Sequence, residues 1–352
     1  MSDRAIVRLT HDCDNACVFC GQLGLEGSIA FVPEDLARLR ERFDEISFVG
    51  GEPSLDPRLP AAIAEARRLG FTAIGLQTNG RSLAGDRRSL ASDDSLLREL
   101  HEAGLGDLQL SIHAATAASH DYHTGRAGSF AALLDLLERA RRRGLTCVVS
   151  SVVTRSNFRE LSRLPALLKR EGVSAWLLEW VRPFGRAGAS FGRVVPRFGM
   201  ALPWALAALE QARRVDLSAW IRGAPICTLG PFAGQALDPG GEGPSSLGQF
   251  PSACEGCSAR SRCPGVDARY LEHFDATELD ARRVRELPAR TFDAGRQRLL
   301  RMFVGVGDRV EPSFELSERG EAGTKPDGKH RRLPVLAPAG SARAESEPDE
   351  SP

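Results

Sequence analysis

The chain has 352 residues, of which 42% are hydrophobic, and equal numbers of basic and acidic side chains give it a formal net charge of zero. This length allows a substantial core and more than one domain, while the balanced charge gives no indication of a nucleic-acid partner or of binding to an anionic membrane. With no apolar stretch long enough to span a membrane and no signal-peptide pattern, we expect a cytoplasmic protein whose eight cysteines serve mainly as metal ligands, not disulfides.

Three closely spaced cysteines follow the first predicted strand. Cys13, Cys17 and Cys20 have the spacing C-x3-C-x2-C, and Phe19 stands directly before the third cysteine. Three thiolates can hold three corners of a cubane iron–sulfur cluster and leave the fourth iron open, whereas closed electron-transfer clusters use four cysteines. Zinc is an alternative, but it prefers four ligands and only His11 could supply the fourth. The spacing therefore favours an iron–sulfur cluster.

Strands and amphipathic helices alternate over the first part of the chain. The predicted strands are Ala5–Leu9, Glu45–Val49, Thr72–Gln77, Asp107–Ile112, Thr146–Val153 and Trp176–Val181. The predicted helices are Pro33–Phe43, Pro57–Leu69, Ser92–Ala103, Ser129–Arg143 and Asn157–Arg170, several of which end at a glycine. Six such βα units predict an α/β fold with a parallel sheet. Periodicity alone fits an open doubly wound sheet and a partial barrel equally well.

The second predicted strand ends in the motif Gly50-Gly51-Glu52-Pro53. Two glycines allow the backbone to approach a ligand closely, and Glu52 places a carboxylate beside them. In isolation this motif is more typical of an ordinary turn. Its position one βα unit after the cysteines favours a binding site, because parallel βα folds carry their chemistry at the C-terminal ends of the strands.

The third and fourth predicted strands also end in polar residues. Asn79 lies in an Asn-Gly pair that is typical of a turn and equally suits a binding role. Alternation puts Ser111 and His113 on one face of the fourth strand, although His113 fits a buried core histidine equally well. For the stretch His120–Phe130 we expect a solvated loop, in which Ser129 caps the next helix.

A second group of cysteines lies in the C-terminal half. Cys254, Cys257 and Cys263 form a C-x2-C-x5-C run, and Cys227 upstream makes a fourth thiolate, enough to close a metal site. Both zinc and an iron–sulfur cluster fit four cysteines. Cys147 stands alone in a β-branched run and is interpreted as a small buried hydrophobe.

Changes in composition divide the chain into three predicted regions. The alternating βα pattern covers residues 1–195, after which glycine, proline and arginine become frequent. The second cysteine group lies within residues 196–304. Residues 305–352 are polar and rich in charged residues, and we expect a disordered tail there because such a segment buries too little apolar surface to offset its ordering entropy.

The cysteine loop, the strand-end motifs and the later cysteine run resemble those of radical S-adenosylmethionine (radical SAM) enzymes with a SPASM or twitch extension. The resemblance implies a (βα)6 partial TIM barrel followed by a small cysteine-rich extension. It implies a 4Fe–4S cluster on Cys13, Cys17 and Cys20 and an auxiliary 4Fe–4S cluster on Cys227, Cys254, Cys257 and Cys263. It also implies SAM binding by Phe19, Gly50, Gly51, Glu52, Pro53, Asn79, Ser111 and His113, with Glu52 facing the amino group of SAM.

The implied reaction is reductive cleavage of SAM to a 5′-deoxyadenosyl radical, which abstracts hydrogen from a substrate. An electron donor such as flavodoxin or ferredoxin is implied as a partner, and a peptide is the expected substrate. We see no leader-binding domain before the barrel, which weakens the peptide interpretation. A nucleotide or small molecule is the alternative, although the chain ends in Ser-Pro where the nucleotide-acting branch has Gly-Gly. A non-catalytic metal-binding scaffold is a third hypothesis, which the intact motifs disfavour.

Overall fold

The computed structural model describes residues 4–22, 25–29, 33–84, 95–237, 248–284, 286 and 293–303. Within these residues, seven parallel strands form one sheet in which every strand pairs with the next along the chain. The strands are β1 (Arg4–Thr10), β2 (Glu45–Gly50), β3 (Ala73–Thr78), β4 (Asp107–Ser111), β5 (Thr146–Val153), β6 (Ala175–Trp180) and β7 (Ala219–Arg222). A doubly wound sheet reverses its strand order at a switch point. This order never reverses, which confirms the α/β class and the partial barrel.

Helices follow the strands and cover the outer side of the sheet. They are α1 (Pro33–Arg40), α2 (Leu59–Arg68), α3 (Ser95–Ala103), α4 (Ala117–Thr124), α5 (Ser129–Arg142), α6 (Leu164–Arg170), α7 (Gly185–Ala189), α8 (Phe191–Val194), α9 (Phe198–Arg214), α10 (Ala268–Phe274) and α11 (Ala294–Phe303). Aliphatic side chains from helices and strands form the main core, as Ile63 of α2 and Leu76 of β3 illustrate. Each predicted βα unit is therefore present, with its helix shorter than predicted.

The seventh strand was not predicted from the sequence. β7 pairs with β6 in a register that places Ile221 opposite Leu178, although it falls in the region expected to form the extension. Four residues give too few alternations to distinguish a strand from a loop. The sheet thus continues beyond residue 195, and the boundary between the predicted domains stays a prediction.

The inner face of the sheet is filled at its N-terminal end. The Arg4 guanidinium donates hydrogen bonds to Asp107 at 2.8 Å, to Ser47 at 2.9 Å and to Glu45 at 3.2 Å. Beside this polar network lies a second small cluster of buried apolar residues, made of Val148, Ala175, Leu177, Trp220, Leu237 and Leu299. These groups therefore occupy the inner face near the strand beginnings, whereas Ser111 and Glu179 near the strand ends are half-buried.

The region after β7 contains short elements. A two-stranded antiparallel ribbon, β8 (Gly248–Gln249) with β9 (Val266–Asp267), brackets the C-x2-C-x5-C run and is followed by α10. No helix in the described part of the chain is long and apolar enough to span a membrane. The predicted disordered tail, residues 305–352, lies outside the described residues.

Candidate active site

The cysteine loop, residues 11–20, begins at the C-terminal end of β1 and lies against the end of β2. The Gly51 amide donates to the Thr10 carbonyl at 2.8 Å, and the Glu52 amide donates to the Asp12 carbonyl at 2.7 Å. A Cβ atom at Gly51 would stand 2.3 Å from the carbonyl oxygens of His11 and Asp12. The glycine at this position is therefore required by the close approach of the cysteine loop itself, a role that sequence analysis assigned to a ligand.

Glu52 is completely buried and joins two of the predicted motifs. Its carboxylate accepts hydrogen bonds from the Ser54 hydroxyl at 2.5 Å, the Thr78 hydroxyl at 2.7 Å and the Asn79 amide at 2.6 Å. Burial raises the pKa of Glu52, while the hydrogen bonds from Ser54, Thr78 and Asn79 oppose the rise. Pro53 is buried beside it at the start of a short 3-10 helix. The carboxylate thus fixes the end of β3 relative to the end of β2.

Asn79 brings the third motif to the cysteine loop. Its side-chain amide lies 3.8 Å from the Cys13 sulfur and donates to the Asp14 carboxylate at 2.6 Å. Arg81 also reaches Asp14, with 3.3 Å between the guanidinium and the carboxylate. The predicted Asn79 and Cys13 are therefore neighbours, although residue 79 follows residue 13 by two βα units.

Phe19 and His113 meet on the other side of the loop. Their ring centroids are 4.6 Å apart in an edge-to-face arrangement. The Val152 amide donates to His113 Nδ1 at 3.3 Å, which makes Nδ1 an acceptor and leaves the proton on Nε2. Burial, with smaller contributions from His120 and His123, lowers the pKa of His113 well below its usual value, so this imidazole is neutral near pH 7. Ser111 lies on the inner face at the end of β4, in register with Ser150 of β5.

Two thiols of the loop, Cys13 and Cys17, are in surroundings that disfavour thiolates unless a cation is present. Burial raises the pKa of Cys17 to about 12, the nearby Cys20 and Cys13 add to this rise, and Arg186 opposes it. Burial also raises the pKa of Cys13, with further contributions from the charges of Glu52 and Asp14. A bound metal offsets such shifts because a coordinated thiol loses its proton. The raised pKa values of Cys13 and Cys17 are thus consistent with thiols that ionise when a metal cluster binds.

A segment that sequence analysis interpreted only as a boundary also contacts the cysteine loop. The Arg186 amide donates to the Cys20 carbonyl at 2.8 Å, and its guanidinium donates to the Cys17 carbonyl at 3.3 Å. On the other side of this segment, Arg269 of α10 donates to the Pro183 carbonyl at 3.1 Å. Residues 183–186 therefore connect the loop to the helix that follows the second cysteine group.

The second group of cysteines converges on one small cavity. Cys227, Cys254, Cys257 and Cys263 all line it, together with apolar neighbours such as Ile226. Burial raises the pKa of Cys263 to about 11, and it also raises the pKa values of Cys227 and Cys254. Four thiols around one cavity fit either a closed 4Fe–4S cluster or zinc.

Arginine side chains lie near this second group, and one of them, Arg283, is paired with Asp280 at 3.9 Å. The nearby Arg283 opposes the rise in the pKa of Cys227, which is caused mainly by burial, and Arg260 does the same for Cys254. Arg260 is also stacked over the Phe250 ring at 4.9 Å. Within the described ranges, no three histidine, cysteine, aspartate or glutamate side chains are arranged as a complete metal ligand set.

A cavity of about 780 Å³ lies away from both cysteine groups. Its lining includes Ala73, Asp107 and Thr146, which are the first residues of β3, β4 and β5, so it opens at the N-terminal edge of the sheet. The predicted motifs all meet at the opposite edge. We therefore assign the candidate active site to the C-terminal edge of β1 to β4.

The stretch His120–Phe130 differs most from its prediction. Its first half forms the end of α4, and His120 and His123 are both completely buried, so the expected solvated loop is limited to the exposed residues 125–128. Burial lowers the pKa of His120 to about 4. Ser129 is the first residue of α5 but does not cap it, so that prediction is wrong: Gly128 is the N-cap residue, and the Ser129 hydroxyl donates to Asp121 instead. Cys147 is buried as expected. His120 and His123 are three residues apart, a spacing that puts both on one face of a helix, and this spacing is the sequence signal for a helix here.

Comparison with known proteins identifies the family. The model of the radical SAM superfamily matches residues 7–164. The PqqA peptide cyclase of Xanthomonas euvesicatoria pv. vesicatoria (strain 85-10) is 30% identical over 192 residues, which cover 50% of this chain and 44% of that protein. A probable GTP 3′,8-cyclase of Metallosphaera sedula is 28% identical over 193 residues, covering 53% of this chain and 57% of that protein. The chain therefore spans about half the length of the curated relatives it matches.

Solved structures show the same fold. Streptococcus suis SuiB bound to its precursor peptide SuiA superposes with a TM-score of 0.52 at 13% identity, over 66% of this chain and 51% of that chain. The same protein bound to S-adenosylmethionine gives a TM-score of 0.51 at 13% identity, over 64% of this chain and 51% of that chain. Residues 7–164, which carry the cysteine loop and the motifs at the ends of β2 to β4, thus match the model of the radical SAM superfamily, whose members use a 4Fe–4S cluster and SAM.

Proposed function

We propose that the chain is a radical SAM enzyme that abstracts hydrogen from a peptide substrate. The observation that carries this proposal is the charge beside the open cysteine loop. Burial is the main cause of the raised pKa of Cys13, and the negative charges of the nearby Glu52 and Asp14 carboxylates raise it further. SAM carries two positive groups, a sulfonium and an ammonium, so a negative environment favours its binding next to this cysteine.

In this proposal Cys13, Cys17 and Cys20 hold the first cluster and leave one iron for SAM. When bound, the reduced cluster supplies the electron that cleaves SAM to methionine and a 5′-deoxyadenosyl radical. The protein binds and orients SAM with the ends of β2, β3 and β4: Glu52 and Asn79 face its methionine end, and Ser111 and His113 face its ribose. Phe19 packs on His113 and helps to exclude water from this side.

Cys227, Cys254, Cys257 and Cys263 hold an auxiliary 4Fe–4S cluster in this proposal. Arg260 and Arg283 support it, because four thiolates around a cluster carry a net negative charge that nearby guanidinium groups offset. An electron donor such as flavodoxin or ferredoxin supplies the reducing electron. The peptide substrate is supported by the similarity to PqqA peptide cyclase and to SuiB, whose structure contains a precursor peptide.

A nucleotide is the second candidate substrate. It is favoured by the similarity to a probable GTP 3′,8-cyclase, of which this chain covers a larger share than of the peptide cyclase. The inner face near the strand ends offers the pair Glu179 and Arg222, joined at 2.5 Å, to either substrate.

The test begins with anaerobic reconstitution, reduction and chromatography of the products of SAM. We expect 5′-deoxyadenosine and methionine, and a protein that forms neither is not a radical SAM enzyme. Peptides encoded by short reading frames beside the gene are then compared with GTP. Faster 5′-deoxyadenosine formation with one peptide, together with a mass change in that peptide, supports the peptide proposal, whereas consumption of GTP alone overturns it.

A further inference from the structure

A turn that contributes no cysteine holds one side of the cysteine loop. This turn, residues 121–130, joins the end of α4 to the start of α5, and we call it the Asp121 turn. The Ala16 amide donates to the Thr124 carbonyl at 2.8 Å, and the Val18 amide donates to the His123 carbonyl at 3.0 Å. These two contacts, made by main-chain atoms, fix the stretch of loop between Cys13 and Cys20.

A third contact extends the same pattern to another loop residue. The Arg126 guanidinium donates to the Asp14 carbonyl at 2.6 Å. Residues 14, 16 and 18 of the cysteine loop are thus held at alternate positions, with Cys17 between two of them. The main chain on both sides of Cys17 is therefore fixed by contacts with residues 123–126.

The Asp121 carboxylate determines the shape of this turn. One oxygen accepts from the Gly128 amide at 2.6 Å, and the other accepts from the Ser129 hydroxyl and the Phe130 amide, both at 2.9 Å. The Ser129 hydroxyl also lies 2.6 Å from the Thr124 hydroxyl. Burial opposes ionisation, but these hydrogen bonds hold the pKa of Asp121 below its usual value, so it is charged near pH 7.

Gly125 allows the turn to reach the loop. It has a φ of 65°, a left-handed conformation that favours glycine. A Cβ atom at this position would stand 2.8 Å from the Ala16 carbonyl oxygen. Any side chain at residue 125 therefore pushes directly on the loop between Cys13 and Cys17.

We propose that Asp121 is a positioning residue for the first cluster: by shaping the Asp121 turn, it fixes the main-chain carbonyls that hold Ala16 and Val18 and so sets the spacing of the three cysteines. This inference rests on the proposed function, because the group it positions is the cluster of the cysteine loop. The auxiliary site has no part in these contacts.

Hydrogen–deuterium exchange of the full-length chain before reconstitution tests the structural step. Asp121→Ala should accelerate exchange of the Ala16 and Val18 amides by about tenfold, as expected for the loss of a net hydrogen bond. Asp121→Asn keeps one oxygen acceptor and should give an intermediate change. Unchanged exchange at both amides in Asp121→Ala overturns the proposal.

Cluster stability in the reconstituted full-length protein tests the functional step. Groups that orient metal ligands are typically worth about 10- to 100-fold in metal affinity. The first cluster is recognised by an electron paramagnetic resonance spectrum that responds to SAM. In Asp121→Ala, the iron chelator concentration that removes this cluster should be about tenfold lower than in the wild type, or lower still. The signal that does not respond to SAM should persist as in the wild type.

Asp107→Ala is the matched control, because Asp107 begins β4 and also accepts two hydrogen bonds from a buried partner, Arg4, at the opposite edge of the sheet. Equal loss of the SAM-responsive signal in Asp107→Ala overturns the proposal in favour of general destabilisation. If Asp121→Ala does not fold, Gly125→Ala replaces it, and wild-type chelator resistance in that variant overturns the proposal. A wild-type protein with no SAM-responsive signal contradicts the proposed function instead, and exchange at Ala16 and Val18 still decides whether Asp121 shapes the loop.

Discussion

The two groups of cysteines differ in how the chain builds them and in the charges beside them. One short loop carries Cys13, Cys17 and Cys20, and nearby carboxylates add to the rise that burial causes in the pKa of Cys13. The second group combines Cys227, which follows β7, with three cysteines that lie between β8 and β9. Nearby arginines oppose the rise that burial causes in the pKa values of Cys227 and Cys254. Near Cys13 the first site thus has the negative charge that favours a positive ligand, although Arg186 lies beside Cys17, whereas the arginines near the second group favour a negative cluster. The first three predictions below test one side of this difference, and the fourth tests the packing of the helix that follows the second group.

The largest effect is expected from Cys17→Ala. Removing this thiolate leaves two protein ligands on the loop, which cannot hold a cubane in the geometry that SAM requires, so formation of 5′-deoxyadenosine should be lost. The control is Cys147→Ala, since Cys147 is buried in the core of the sheet away from both groups. Undiminished formation of 5′-deoxyadenosine by Cys17→Ala contradicts the assignment of the first cluster.

The next effect concerns independent loading of the second group. Simultaneous replacement of Cys13, Cys17 and Cys20 by alanine should leave about four irons and equivalent sulfide per chain, because four thiolates close a cluster by themselves. Addition of SAM should not change the electron paramagnetic resonance spectrum of this variant. Zinc without labile sulfide in its place means a structural site, and a spectrum altered by SAM means that one of the four cysteines is not a ligand.

A smaller effect is expected from Glu52→Ala. Iron content should stay near that of the wild type, while SAM binding measured by calorimetry weakens by about 1.5–3 kcal/mol, the range for hydrogen bonds to charged groups. Thr78→Val is the control, because it removes a hydrogen bond to Glu52 but keeps the carboxylate. If SAM affinity falls equally in Glu52→Ala and Thr78→Val, Glu52 has a structural role only. If SAM affinity is unchanged in Glu52→Ala, Glu52 is not part of the SAM site.

The smallest effect is expected from Tyr270→Phe, which tests how α10 is attached to α9. The Tyr270 hydroxyl accepts from the Phe198 amide at 2.7 Å and donates to Glu278 at 2.6 Å. Its loss should lower the free energy of unfolding by roughly 1 kcal/mol in a denaturant titration. Tyr122→Phe is the control, because the Tyr122 side chain is 47% exposed. Equal stability of the two variants contradicts a contribution of this contact.

Sequence reasoning predicted the six βα units because their periodicity and glycine ends are local signals. It also found the residues that meet at the strand ends, since the parallel architecture brings consecutive strand ends together. Asn79 beside Cys13 and Glu52 beside Thr78 are consequences of that rule.

The missed contacts share a different physical origin. Main-chain carbonyls, such as those of His123 and Thr124, bind the cysteine loop, and every residue type carries a carbonyl. Arg186 reaches Cys17 across a separation of 169 residues, which no local pattern encodes. The glycines of the β2 motif were interpreted as space for a ligand because their actual neighbour, the backbone of the cysteine loop, is recognisable only in three dimensions.

The filled N-terminal end of the inner face has a consequence for the order of the proposed reaction. Because Arg4 and its partners occupy the N-terminal end of the inner face, we expect SAM and substrate to reach the predicted motifs from the C-terminal edge of the described strands. A large substrate bound at that edge covers the smaller SAM beneath it. We therefore expect compulsory-order kinetics, in which SAM binds first and the peptide product departs before methionine and 5′-deoxyadenosine.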